Sequence, residues 1–290
     1  VAEVTVAISF CDNAGTLLDC VRSVYAQTVT DWRLLLVDDG SVDGGGDLVA
    51  ALDDPRVELF RHRENRGTPV RLNEISQRVS TPLLARMDGD DLMHPRRLEL
   101  SLAALAEGAD LVAGAAVSVD GDTRPSGLRP SVATSDPLAH LRHAPLVHAS
   151  VTGRTQWFLE HPYDASLRRC QDQELWVRTL GDRDTVVLDD VVLYLREAGT
   201  VPAAKYARSM AGTRAVVRRH GPVLVGRGRA ARMSALTVAK EVAYRVAEPL
   251  GLVDRLVGRR SATLGPADLV AHAEVLEAIR SVRLPGVDPA

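Results

Sequence analysis

Three carboxylates fall within four residues at Asp88, Asp90 and Asp91, in the run Ala85-Arg86-Met87-Asp88-Gly89-Asp90-Asp91 that follows the apolar segment Pro82-Leu83-Leu84. Acids so close repel one another unless a cation sits between them. Hard divalent cations, Mg2+ or Mn2+, take oxygen ligands of this kind and often share them with the phosphates of a substrate. A second acidic pair, Asp38-Asp39, runs into Gly40-Ser41, which by itself reads as an Asx-type turn closing a strand onto a helix. Asp172 stands at the start of a helical run, a position suited to an N-cap or to a base.

The elements that must position these acids alternate. Val4 to Phe10 is short, apolar and β-branched, the signature of a buried strand; Leu17, Leu18, Val21, Val24 and Tyr25 then recur at helical spacing behind Thr16 as N-cap. Leu34 to Val37 predicts a second strand ending at Asp38-Asp39, and Val57 to Phe60 a third. Thr68-Pro69 opens a helix carrying Val70, Leu72, Ile75 and Val79, Leu83 to Met87 is a fourth strand, and Pro95 opens a helix with Leu98, Leu102 and Leu105. Four strand–helix alternations predict an α/β protein with a mostly parallel sheet covered on both faces. Ligands of such sheets bind beyond the carboxyl ends of the strands, where both acidic turns fall. After Leu111 to Val117 the pattern loosens: residues 120–137 read as a loop, 155–160 and 172–180 as helices, 185–188 and 191–195 as paired strands. From residue 203 onward the chain reads as helical, broken near Gly221-Pro222, Glu248-Pro249 and Gly265-Pro266.

The chain has 290 residues, 46% of them hydrophobic and 25% charged, an ordinary balance for a water-soluble globular protein. Three cysteines without Cys-x-x-Cys spacing argue against a disulfide framework or a structural zinc. With no apolar run of about 18 residues and no leader pattern at the start, a cytoplasmic location is expected, peripheral at the inner membrane face at most. Charge is unevenly placed: residues 205–260 hold 13 Lys or Arg against Glu241, Glu248 and Asp254, within a chain of net charge −3. Arg214, Arg218, Arg219, Arg227, Arg229 and Arg232 therefore suit an anionic membrane surface, a phosphorylated lipid acceptor or another subunit. Nucleic acid is not expected, since no binding module accompanies the charge.

Taken together, Val6 to Phe10, Gln27-Thr28, Asp31-Trp32, Val37-Asp38-Asp39-Gly40-Ser41, Asn65-Arg66-Gly67, Asn73, Ala85 to Asp91, Pro95, Arg97-Leu98, and Asp172 with Glu174-Leu175-Trp176 make the sequence similar to the family 2 glycosyltransferases. That resemblance is dense to about residue 100, patchy to about residue 196 and absent beyond. It implies an inverting enzyme of the GT-A (Rossmann-like) fold. Residues 1–203 would form the catalytic domain, with 1–100 binding the nucleotide sugar and 101–203 carrying the acceptor and the base, and 204–290 would be a helical extension. On the same resemblance Ser9, Phe10, Cys11, Asp38, Asp39, Arg71 and Asp88 contact the donor nucleotide, Asp39 accepting from the N–H of its base. Asp88, Asp90 and Asp91 hold Mn2+ or Mg2+, Asp172 is the general base, and His148, Glu174 and Trp176 are candidates to touch the acceptor or to brace the residues that do, Trp176 suiting the packing of its helix onto the sheet better than contact with sugar. The donor implied is a nucleoside-diphosphate sugar, uridine-linked first and guanosine- or thymidine-linked otherwise. The acceptor is a hydroxyl on a cell-surface glycan, a lipid-linked saccharide or a small natural product.

The sequence also departs from the family pattern. Ser9, Cys11 and Asp12 stand where Pro, Tyr and Asn are common, so the ring that stacks on the base is missing; Gln171 stands where Glu is frequent, and Glu197 follows Tyr194-Leu195-Arg196 where a metal-binding histidine is common. These changes keep open a catalytically inactive, nucleotide-binding or scaffolding relative. A nucleotidyltransferase is the other alternative, against which counts the single glycine, Gly15, in the first loop.

Overall fold

Strands whose residues are apolar on both sides must be covered on both sides, and the first hundred residues satisfy that demand with four strand–helix repeats. The computed structural model describes residues 2–197, 201–253 and 261–289. The repeats are β1 (Val4–Phe10), α1 (Ala14–Tyr25), β2 (Trp32–Asp38), α2 (Gly45–Ala50), β3 (Val57–Arg61), α3 (Thr68–Arg78), β4 (Leu83–Asp88), the two-residue β5 (Leu92–Met93) and α4 (Arg97–Ala106). There follow β6 (Leu111–Val119), β7 (Pro125–Arg129), α5 (Pro137–Arg142), a 3-10 turn over His148–Ser150, β8 (Thr152–Arg154), α6 (Thr155–Glu160), α7 (Gln171–Arg178) and β9 (Thr185–Arg196). Among the described residues there follow α8 (Ala203–Leu224), α9 (Arg227–Ala247) and α10 (Pro266–Arg280).

The sheet runs β3-β2-β1-β4-β8-β6-β9-β5, with β7 on β6. β3, β2, β1 and β4 are parallel; β8 is antiparallel to both neighbours, so that β6 and β9 run with the first half. Alternation along β1 sends Val4, Val6, Ile8 and Phe10 into a core with Leu17, Val21 and Val24 of α1, and Ala7 into a second core with Leu72 and Ile75 of α3, Trp157 and Trp176. Ser9 lies opposite Asp88 and Phe10 opposite Asp38 in the parallel ladders, so the ends of β2, β1 and β4 are level.

Several elements differ from the sequence expectation. Residues 120–137 contain β7, which returns antiparallel along β6, whereas the composition suggests only a loop. The expected strand pair over 185–195 is a single strand: its Asp189-Asp190 interruption is absorbed as register shifts against Ala113 to Ala116. α8 runs through Gly221-Pro222 because the proline falls in its last turn, and the break comes instead at Gly226, whose φ of 84° starts the turn into α9. α1 begins behind Asn13; the Thr16 hydroxyl donates to Gly89 O (3.2 Å), tying α1 to the acidic turn.

Beyond residue 203 the chain shares cores with what precedes it. Val216, Val217 and Ala230 of α8 and α9 pack with Leu141 and Val177, Leu276 and Ile279 of α10 with Val117 and Tyr194, and Leu284 enters the α1 core. No described helix is long and apolar enough to cross a membrane.

Candidate active site

The carboxyl ends of β1 and β2 are knitted together by acids. Asp38 is buried, its Oδ1 accepting from Ser41 N (2.8 Å) and its Oδ2 lying 3.6 Å from Arg61 Nε, so it closes the turn after β2. Asp39 is buried as well and accepts from Arg66 N (2.9 Å), Gly67 N (2.8 Å) and Arg71 Nε (2.6 Å). Those bonds fold the 64–67 loop against the strand ends and leave Asp39 one free lone pair, on Oδ2, for a ligand donor. Arg71 also donates to Glu74 (2.9 Å) and to Glu64 O (3.0 Å). Its guanidinium is an internal clamp on Asp39, in place of the donor contact expected of it.

Phe10 corrects a second expectation, because its ring is 2% exposed in the α1 core and presents no face to a base. The parallel register dictates this, since Phe10 shares a sheet face with Ile8. Ser9 and Cys11 remain half-buried at the strand end. The Cys11 thiol accepts from Asn65 Nδ2 (3.2 Å), and burial together with Asp12, Asp39 and Asp38 pushes its pKa up.

The turn after β4 is organised by arginines. Arg86, 4% exposed, donates through Nη2 to Asp88 Oδ1 (2.5 Å), while its Nε and Nη1 are buried with no partner among the described residues. Arg97, fully buried, donates to Arg86 O (2.8 Å) and Val151 O (3.1 Å), bracing the strand from behind; burial and Arg86 lower its pKa to about 9. Arg196 grips the other side, its N donating to Asp91 Oδ1 (2.9 Å), its Nε to Asp90 O (3.0 Å) and its Nη1 to Thr123 Oγ1 (3.0 Å). Gly89 is required because a Cβ there would stand 2.7 Å from Phe10 Cβ.

The three acids of the turn separate into two roles. Asp91 is 1% exposed and faces the end of β9; burial and its neighbours Asp90 and Asp88 raise its pKa well above the usual range. It is a structural anchor for Arg196 rather than an open ligand. Asp88 is 36% exposed at its side chain, with Oδ2 free of Arg86. Asp90 is half-buried and its pKa is raised by burial and by Asp88. An exposed carboxylate oxygen of Asp88 beside Asp90, whose charge is opposed by burial and by Asp88, fits a hard cation. Among the described residues no group of three His, Cys, Asp or Glu side chains forms a ready cage, so the protein alone offers an incomplete ligand set.

Asp172 sits in the first turn of α7, behind Cys170, whose φ of 61° turns the chain into the helix. The helix N-terminus predicts a lowered pKa, but the net shift is upward: burial outweighs the Gln173 backbone N–H and the Arg86 charge. Asp88 and Arg86 both act on Asp172, so the acid after β4 and the acid opening α7 share one electrostatic neighbourhood. Tyr163 and His148 complete it. They share a hydrogen bond of 2.8 Å, Tyr163 is clipped to α3 by two bonds with Asn73, and burial beside Arg86 keeps His148 neutral, its pKa well below the usual value.

Glu174 and Trp176 belong to packing instead. Glu174, 1% exposed, bridges Arg178 (3.2 Å) and His220 (3.0 Å), fastening α7 to α8; Trp176 is fully buried and stacks on Trp157 at 6.2 Å. Arg86, which flanks the donor turn and by sequence suits either a phosphate or an ion pair, is paired with Asp88; the sequence assigns no role to Arg97 or Arg196, although both lie within the quoted motifs. Their burial is what the linear pattern lacked.

A half-parallel sheet with an acidic turn closing β4 and a further acid brought to it by α7 is the architecture of a nucleotide-sugar transferase fold. Residues 5–169 match the family model described as Glycosyl transferase family 2, and the chain belongs to that family. The putative glycosyltransferase EpsE of Bacillus subtilis (strain 168) is 28% identical over 183 residues, 61% of this chain and 66% of that protein. Succinoglycan biosynthesis protein ExoO of Rhizobium meliloti (strain 1021) is 34% identical over 120 residues, 41% and 33%. The chain thus spans just under two thirds of the first and one third of the second. In fold it is similar to S. aureus TarS 1–349 in complex with UDP-GlcNAc, at a TM-score of 0.58 and 13% identity over 96% of this chain and 83% of that one. It is likewise similar to the mannosyltransferase PcManGT from Pyrobaculum calidifontis in complex with GDP-Man and Mn2+, at a TM-score of 0.57 and 16% identity over 96% and 86%.

Proposed function

We propose that this chain is an inverting glycosyltransferase that moves a sugar from a nucleoside diphosphate to a hydroxyl acceptor. The observation that carries the reading is the joint neighbourhood of Asp88, Arg86 and Asp172 at the carboxyl ends of parallel strands. Ser9, Cys11 and the Asp39-organised 64–67 loop receive the nucleotide, with the last lone pair of Asp39 turned to the N–H of the base. Asp88 and Asp90 would hold Mn2+ or Mg2+, which when bound neutralises the charge growing on the departing diphosphate. Asp172 takes the proton of the acceptor hydroxyl as that oxygen attacks the anomeric carbon from the side opposite the diphosphate, so one displacement inverts the centre. A carboxylate raised by burial is the stronger base, and the Arg86 guanidinium holds it ionised before attack. Neutral His148 and Tyr163 orient groups around it without adding charge.

The donor favoured is uridine-linked. A cell-surface or lipid-linked glycan is favoured as acceptor ahead of a small natural product, and the name of ExoO, a succinoglycan biosynthesis protein, is in keeping with a saccharide acceptor. A thermal-shift panel of uridine, guanosine and thymidine diphosphates with and without Mn2+ tests the cleft, since a ligand bound only by the folded form raises its melting temperature. Release of nucleoside diphosphate from the matching sugar tests the chemistry. Asp172→Asn should lower kcat about 10²–10⁴-fold with the nucleotide shift retained. No shift with any nucleotide overturns the donor site, and a shift without turnover in any acceptor screen indicates an inactive binding relative.

A further inference from the structure

α9 is apolar on two opposite faces, and its neighbours account for one of them. Ala230, Thr237, Tyr244 and Ala247 are buried against the rest of the molecule, Ala230 in the core it shares with Val216 and Val217 of α8, and Arg214 of α8 pairs with Glu241 at 2.8 Å. On the far side Val238, Val242 and Val246 follow at four-residue spacing, 46%, 57% and 59% exposed, with exposed Ala231 and Ala235 in the turns before them, Ala239 beside Val238, and Leu250, 63% exposed, just beyond the helix. Side chains four apart stand one above another, so these residues form a single stripe. Valine is a weak helix former, and helix propensity therefore gives no reason for three of them on an exposed surface. Contiguous exposed apolar surface of this kind marks a site of contact.

The margins of the stripe state the chemistry of what covers it. At 100° per residue, Arg227 and Arg245 border one side and Arg232 the other, while Arg229 and Lys240 stand farther round toward the buried face, all exposed. Neither acid of this stretch lies in the stripe. Glu241 is held by Arg214 and Arg245, and Glu248 accepts from Ala203 N (2.7 Å). Arg227, Arg229, Arg232 and Lys240 have no acidic partner among the described residues. We propose that this face of α9 docks on an anionic lipid bilayer, the valines entering the boundary between headgroups and acyl chains and the flanking cations meeting the headgroups. A second copy of the chain fits less well, because a two-fold pairing of the stripes sets cationic margin against cationic margin with no acid between them. α9 rests on α8, and α8 is fastened by Glu174–His220 and Gln173–Thr213 to α7, the helix that carries Asp172.

Co-sedimentation with vesicles tests this. The full chain should pellet with equimolar phosphatidylglycerol and phosphatidylcholine, not with phosphatidylcholine alone, and should be released by high salt. The double variant Val238→Asp, Val242→Asp should lose binding at unchanged melting temperature, both sites being solvent-exposed, and the milder Val242→Ser should weaken it. Arg227→Gln and Arg232→Gln should each lower partitioning about five-fold. Asp172→Asn should bind as the parent does, which separates this surface from the donor-site reading. Absence of binding to the anionic vesicles, or undiminished binding by the double-valine variant, overturns the proposal. So does a parent dimer in sedimentation equilibrium that the same variant dissolves while vesicles are ignored.

Discussion

Arg86 concentrates the chemistry of the site into one side chain: a buried guanidinium with, among the described residues, a single carboxylate partner and two unpartnered nitrogens. Its charge lowers the pKa of Asp172 against the larger upward push of burial. The acid limb of the kcat profile should therefore lie above the ordinary aspartate range, and Arg86→Met should move it to higher pH still. The same variant leaves Asp88, 36% exposed at its side chain, without its partner and should cost no more than about 1 kcal/mol in stability, read by urea unfolding. An unmoved acid limb would separate Asp172 from Arg86. His94 sets a second pH dependence away from the site. Burial beside His272 and Arg96 lowers it to about 4, so between pH 6.5, its ordinary value, and pH 4 the unfolded chain binds a proton that the folded one refuses. Stability should fall across that window by about 1–2 kcal/mol after allowance for partial exposure, and His94→Gln should flatten the fall.

Among the elements, α7 depends most on its context. Its eight residues are too few to be stable alone, and the Glu174 bridge to His220 and Arg178 fixes its seat on α8. Glu174→Ala should cost about 1–3 kcal/mol and lower kcat more than donor affinity, because the base moves while the nucleotide end stays. Gly153 of β8 has a comparable structural constraint: a Cβ there would lie 2.4 Å from Leu111 Cδ2, and Gly153→Ala should destabilise by about 1–3 kcal/mol in thermal melts. β1 to β4 and α3 were legible because each carries its own apolar period and its own breaker. β5, β8, α2 and α5 were not, since two to six residues hold too little pattern. β7 is held by the ladder β6 offers it and by a bridge between Leu128 and Ala262.

The whole molecule is closed by its last residues, which return to its first helix. Arg22 of α1 donates to Asp288 Oδ1 (2.9 Å) and to Val282 O (3.1 Å), Pro285 O accepts from Asp53 N (3.0 Å), and Leu284 is 1% exposed in the α1 core. Leu284→Ala should cost about 2–4 kcal/mol. A chain ended before Pro266 should melt well below the parent, because the core around α1 loses part of its cover; an unchanged melting temperature would make 204–290 dispensable.

The amino-acid sequence determined the parallel half of the sheet and the placing of Asp39, Asp88 and Asp90 at strand ends, because local period and turn chemistry are written in consecutive residues. Tertiary structure alone decided which acids stay open. The burial of Phe10, Arg71 and Asp91, the gathering of Arg86 with Asp172, and the bare stripe of α9 depend on what packs where. Burial is a property of neighbours far apart along the chain, and it set the charge, the pKa and the exposure of each of these side chains.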